Sequence, residues 1–128
     1  MKIINRKIIT ISRNLDPTAV PAGSGGRDWE SDIFLNFQPD QMIVKLITCN
    51  GDNAAIINNS AVVVCTTINE VLGSFYNNNC IVYPNNVFEA YNYPINNRWR
   101  FQIRNVDGAI NSTFDGHLFV QLEFVKFG

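Results

Sequence analysis

Arg98-Trp99-Arg100-Phe101-Gln102-Ile103-Arg104 is the stretch that decides the fold. Polar and apolar residues alternate along it, and successive side chains of a strand point to opposite faces. Trp99, Phe101 and Ile103 therefore share one face, and Arg98, Arg100, Gln102 and Arg104 share the other. Burying each apolar side chain stabilises by about 1.5–3 kcal/mol. A slip of one residue would put three arginines inside instead, so the register is pinned. An Asp107-Gly108 turn follows, then a loop to Asp115-Gly116, then a second strand pattern from His117 to Phe127. There Leu118, Val120, Leu122 and Phe124 make an apolar row, and His117, Phe119, Gln121, Glu123, Val125 and Phe127 a mixed one. The mixed row carries more apolar surface than a solvated face needs, which points to a subunit contact.

Outward from this pair, short strand-like runs recur at Asp32–Gln38, Met42–Cys49, Ala61–Thr66, Cys80–Tyr83, Val87–Tyr91 and Arg98–Val106. Turn signals separate them: Pro39-Asp40, Asn50-Gly51-Asp52-Asn53, Asn77–Asn79, Pro84-Asn85-Asn86 and Pro94. Ile68, Val71 and Leu72 have helical spacing, so Ile68–Leu72 is expected to form a short helical turn. Lys2 to Ser12 reads as a first strand or an extended arm. Residues 14–27, with Pro17, Pro21 and Ala22-Gly23-Ser24-Gly25-Gly26, read as a flexible linker. The expected organisation is an N-terminal strand or arm with its linker (1–27), then a sandwich (28–128). The fold class is all-β: a single jelly-roll-like antiparallel β-sandwich of about eight strands with an N-terminal extended arm.

The chain has 128 residues, enough for one domain with a real core. Apolar residues make up 46% and charged residues only 16%. Eighteen asparagines stand where charge is missing, clustered at the turns. Asparagine tolerates left-handed backbone there, and A·T-rich coding also favours it. Net charge is −1, but the basic groups Lys2, Arg6, Lys7, Arg13 and Arg27 outnumber Asp16 in the first 27 residues, while the body is acidic. Such a basic arm suits a neighbouring copy or a polyanion. The start lacks a signal peptide's apolar core, and no stretch approaches the about 20 apolar residues of a membrane span. Cys49, Cys65 and Cys80 read as buried free thiols of a reducing compartment. The sequons at Asn58 and Asn111 carry no weight without secretion.

The inventory of reactive groups is thin. His117 is the one histidine, at the head of a strand beside Asp115-Gly116, and reads as a turn or interface residue. It cannot supply a zinc set alone, and no serine lies in a nucleophile elbow. Gly23–Gly26 lacks the Lys-Ser/Thr of a phosphate loop. Asp28-Trp29-Glu30-Ser31-Asp32 fails the spacing of a calcium loop and reads as a cap or turn anchored by Trp29. No catalytic, cofactor-binding or metal-ligating residue is assigned, and no cofactor. The row Arg98, Arg100, Arg104 suits carboxylates of a neighbour or phosphates. Trp99 and Phe101 point away from it, so nucleic-acid readout is weakly supported.

Trp99–Arg104, Asp107-Gly108, Asp115-Gly116-His117-Leu118 and Leu122-Glu123-Phe124-Val125-Lys126 resemble the tail of small jelly-roll capsid proteins (minor capsid or penton-like). Those belong to large double-stranded DNA viruses, virophages and polinton-like viruses. The resemblance implies a non-enzymatic virion component made in the host cytoplasm, a homo-oligomer (trimer or pentamer) that also contacts other capsid proteins. The expected interface draws on Ile3, Ile4, Ile8, Ile9 and Ile11 of the arm with Arg13 and Arg27. It also draws on Arg98, Arg100 and Arg104, and on Phe119, Val125 and Phe127. Removing residues 1–27 is expected to weaken assembly and spare the core. The alternative is a carbohydrate- or ligand-binding sandwich, with Tyr76, Tyr83, Tyr91, Tyr93 and Trp29 as a stacking platform for a glycan.

Overall fold

The alternation at Trp99, Phe101 and Ile103 does what it demands: all three are fully buried. They lie on β8 (Asn97–Asn105), one of nine strands in a computed structural model that describes residues 2–15, 28–50, 61–75, 79–105 and 116–128. The others are β1 (Ile3–Leu15), β2 (Asp28–Ile33), β3 (Gln41–Asn50), β4 (Ala61–Cys65), β5 (Glu70–Phe75), β6 (Asn79–Val82), β7 (Asn86–Glu89) and β9 (Gly116–Phe127). Sheet A has the order β1-β9-β3-β6, with β7 also on β3, and sheet B the order β2-β8-β4-β5. Every pairing is antiparallel.

β6 and β7 run one after the other along the same edge of β3, parted by Tyr83-Pro84-Asn85. Pro84 has no N–H for a ladder, and Asn85 takes the left-handed conformation at φ 52° while its N–H bonds the Val44 carbonyl at 2.9 Å. They are one strand, broken. With them joined, the pairs β1·β9, β2·β8, β3·β6/β7 and β4·β5 are those of one long folded-back hairpin. Rolling that hairpin adds β3·β9 and β4·β8, which is the strand order of a jelly roll.

The core lies between the sheets. Sheet A contributes Ile11, Leu15, Met42, Val44, Ile47, Cys49, Leu118, Val120, Leu122 and Phe124; sheet B contributes Trp29, Ile33, Val63, Cys65, Leu72, Phe75 and the β8 row. Trp99 is its centre, edge-on to Tyr93 and to Phe124, with its indole N–H donated to the Pro94 carbonyl at 2.7 Å. Gly73 lets the sheets meet: a Cβ there would stand 2.7 Å from Ile47 Cδ1 and 3.0 Å from Pro84 Cγ.

Three expectations change. The strand foreseen at Asp32–Gln38 lies earlier, at Asp28–Ile33, because Trp29, Ser31 and Ile33 pair inward beside Phe101, Trp99 and Asn97. The helical turn foreseen at Ile68–Leu72 is instead the β4–β5 turn followed by β5. Asn69 reverses the chain there at φ 56°, and Leu72 is buried as a strand residue. Of the first strand or extended arm expected at the N-terminus, the structure has the strand, and it belongs to the sandwich expected to begin only at residue 28. β1 is matched to β9 from Ile3 to Leu15 and buries Ile11 and Leu15 in the core, so the sandwich depends on it. The linker stretch after Leu15 lies outside the described residues.

Candidate functional site

The two outer faces differ in kind. On sheet B, β2 alternates Asp28, Glu30 and Asp32 outward, in register with Gln102, Arg100 and Arg98 of β8. Arg100 grips Asp28 with a fork, Nε to Oδ1 at 2.7 Å and Nη2 to Oδ2. Gln102 donates to the same carboxylate at 3.2 Å and accepts from Arg104 Nε at 2.7 Å. Arg98 lies 3.6 Å from Glu30 and 3.4 Å from Asp32. The Arg100 hydrogen bonds, over partial burial, hold the Asp28 carboxyl below its ordinary value. All three arginines of the expected binding row are thus engaged within the chain. Sequence reading treated the acidic run and the arginine row separately; matching two alternations of opposite charge would have paired them.

Sheet A has few such pairs on its outer side. Arg6 of β1 meets Glu123 of β9 at 3.0 Å, and the rows around this pair mix polar side chains such as Thr10 and Gln121 with apolar ones. Ile8, Ile81 and Val87 are exposed, Phe119 is exposed on the central strand, and Ile43 and Leu46 are half-buried between them. Register puts Ile8, Glu123, Ile43 and Val87 in one row across the sheet, and Ser12, Phe119, Thr48 and Ile81 in another. Tyr83, 68% exposed, sits at the break between β6 and β7. Ile3 and Ile4 extend the exposed surface at the start of β1.

The expected interface residues therefore divide. Ile3, Ile4, Ile8 and Phe119 are exposed, and Phe127 is partly so. Ile9 and Ile11 face the core, because they stand opposite Leu122 and Val120 in the β1·β9 register. Val125 is only 1% exposed, flanked in register by Arg6 and Gln41, and is not open to a neighbour. Arg13 lies over the Trp29 ring at 5.7 Å. Arg27 lies outside the described residues, as do Asp107-Gly108, Asp115, Tyr76, the glycine loop and both sequons.

Two open clefts flank sheet A. One, of about 570 Å³, is lined by Asn5, Arg6, Lys7, Phe34, Asn36 and Asn96 among others. The other, of about 600 Å³, lies between Asp40, Gln41, Glu89, Tyr91 and Phe127. Asp40 serves the fold by accepting the Phe127 N–H at 2.8 Å. His117 contacts Ser12 Oγ through Nε2 at 2.7 Å, with its ring against Phe119. No group of three metal-ligating side chains converges among the described residues. All three cysteines are buried and none is in a disulfide, and burial pushes the Cys65 thiol up to about 11. Among the described residues, no helix is long and apolar enough to cross a membrane. No family model, no curated protein and no solved structure matches this chain.

Proposed function

We propose that the protein is a non-enzymatic structural component of virions, a jelly-roll capsid protein that associates with copies of itself and with other shell proteins. The observation that carries this reading is the outer side of sheet A. Ile8, Ile81, Val87 and Phe119 stand exposed there, while on sheet B the strands β2 and β8 pair their outward charges and Val71 of β5 is exposed. Exposed apolar residues spread over one sheet mark a surface meant to be covered. The minor capsid, penton or vertex position and a trimeric or pentameric ring are part of the proposal, drawn from the likeness of its C-terminal strands to small capsid proteins.

The glycan-binding alternative asks its aromatics to form one platform. Trp29 is buried against Phe101, Tyr93 is half-buried against Trp99, and the exposed Tyr83 and Tyr91 lie at opposite ends of β7. Sedimentation velocity from about 1 to 100 μM, together with co-sedimentation with virus particles, tests the proposal. Concentration-dependent association and recovery in the particle fraction are expected. A monomer throughout that is absent from particles refutes it.

A further inference from the structure

β1 carries a lysine where the core pattern calls for an apolar residue. Lys7 stands in the inner row of the strand, opposite Phe124 and two residues before Ile9, yet it is exposed. At this end of the sandwich β2 stops at Ile33 and β8 begins at Asn97. Past them opens the cleft of about 570 Å³, with Asn5 and Lys7 on one wall and residues 34–37 on the other. Along that second wall Leu35 and Phe37 are buried, while Phe34 and Asn36 are exposed. Asn96, held at φ 55°, anchors it by accepting the Leu35 N–H on Oδ1 at 3.0 Å. The connections from β2 to β3 and from β7 to β8, which build this end, lie wholly within the described residues. Stretches 16–27, 51–60, 76–78 and 106–115 join strand ends at the opposite end of the sandwich.

We infer that this cleft binds an acidic sugar, a pyranose bearing one carboxylate. Such a site is independent of shell assembly and draws on none of the tyrosines weighed above. One negative group fits the charge present. Arg6 reaches the cleft but is bonded to Glu123 at 3.0 Å, whereas Lys7 forms no ion pair among the described residues. A lysine ammonium is a compact point charge with three rotatable donors, suited to a single carboxylate. A phosphate group favours a forked guanidinium or converging backbone N–H groups, and here the guanidinium is spent on Glu123. Three side-chain amides, those of Asn5, Asn36 and Asn96, line the same cleft. An amide pairs an acceptor oxygen with a two-donor nitrogen, which matches hydroxyls that both donate and accept. Asn96 has its oxygen engaged by Leu35, which leaves its nitrogen to donate. Phe34, 54% exposed, supplies the apolar element, a ring against which the C–H side of a pyranose can lie. The volume falls within the range of about 300–1,000 Å³ typical of small-ligand sites.

Titration calorimetry on the full chain tests this, with methyl glucuronoside and methyl sialoside as the probes. Methyl glucoside is the neutral control and inorganic phosphate the control for a bare anion. One of the acidic sugars is expected to bind at least about tenfold more tightly than either control, as a single charge-assisted contact would provide. Lys7→Gln should abolish that preference, and Phe34→Ala should weaken binding about fivefold. Both side chains are exposed, so unchanged thermal unfolding serves as the fold control. Failure of both acidic sugars to bind up to about 10 mM overturns the site. Acidic-sugar binding left intact by Lys7→Gln or by Phe34→Ala overturns it as well, because the sugar then sits elsewhere. Phosphate that binds as tightly as the acidic sugars overturns the ligand class.

Discussion

Ile11→Ala and Leu15→Ala together test whether β1 belongs to the fold. The two residues are 3% and 0% exposed and reach the core from the end of the strand farthest from the N-terminus. Truncating a buried Ile or Leu to Ala costs about 2–5 kcal/mol, the lost transfer energy plus the cavity left behind. The positions are four residues apart along a strand, about 13 Å at roughly 3.3 Å per residue, far enough for their effects to add. The double variant should therefore lose about 4–10 kcal/mol, against a total stability of about 5–15 kcal/mol for a domain of ordinary stability. Urea denaturation followed by circular dichroism reads this directly, with the two-state treatment suited to a domain of this size. Ile4→Ala and Ile8→Ala, at exposed positions of the same strand, should stay within about 0.5 kcal/mol of wild type. If Leu15→Ala cost less than about 1 kcal/mol, β1 would be a dispensable arm and the placement argued here would be wrong.

Three further outcomes follow from specific contacts. Gly73→Ala should destabilise by about 1–3 kcal/mol, because its Cβ would press on Ile47 and Pro84; Ile47→Val, which removes the nearest methyl, should recover part of that loss in the same urea titration. Asp28 binds its proton less readily in the folded protein than in the unfolded chain, because of Arg100 and then Gln102. Its stabilising contribution is full above the carboxyl's ordinary value of 3.8 and is lost as the pH falls below it. Asp28→Asn should therefore lower the urea midpoint near pH 7, and its gap to wild type should narrow as the pH falls below 3.8. With its thiol raised to about 11 by burial, Cys65 should resist a thiol reagent at pH 8 in the native protein, and all three cysteines should react in denaturant.

The inner rows of β8 and β9 were legible in the sequence because two-residue alternation of large apolar side chains has one physical solution. The sandwich and its approximate strand count followed from them. The sequence was less informative where pairing outweighed local pattern. Asp28, Glu30 and Asp32 look like a turn or cation site until Gln102, Arg100 and Arg98 arrive in register from about seventy residues away. Ile68–Leu72 has helical spacing, but the β4 hairpin and the positive φ of Asn69 impose a strand. On β1, Ile8, Ile9 and Ile11 are chemically alike, and their register with β9 decides which side each faces. Val125 belongs to the outer row by alternation, yet its neighbours in register enclose it, which a single strand's sequence does not show. The apolar exposure of β6 and β7 is a property of their edge position, and edges are assigned by topology.

Amide hydrogen exchange, comparing dilute protein with the concentrated or particle-bound form, measures most directly whether other subunits cover the outer side of sheet A. Protection should rise in β1 and in β6 and β7, and remain unchanged along the charge-paired strands β2 and β8. New protection confined to β2 and β8, or none anywhere in the chain, would contradict the account.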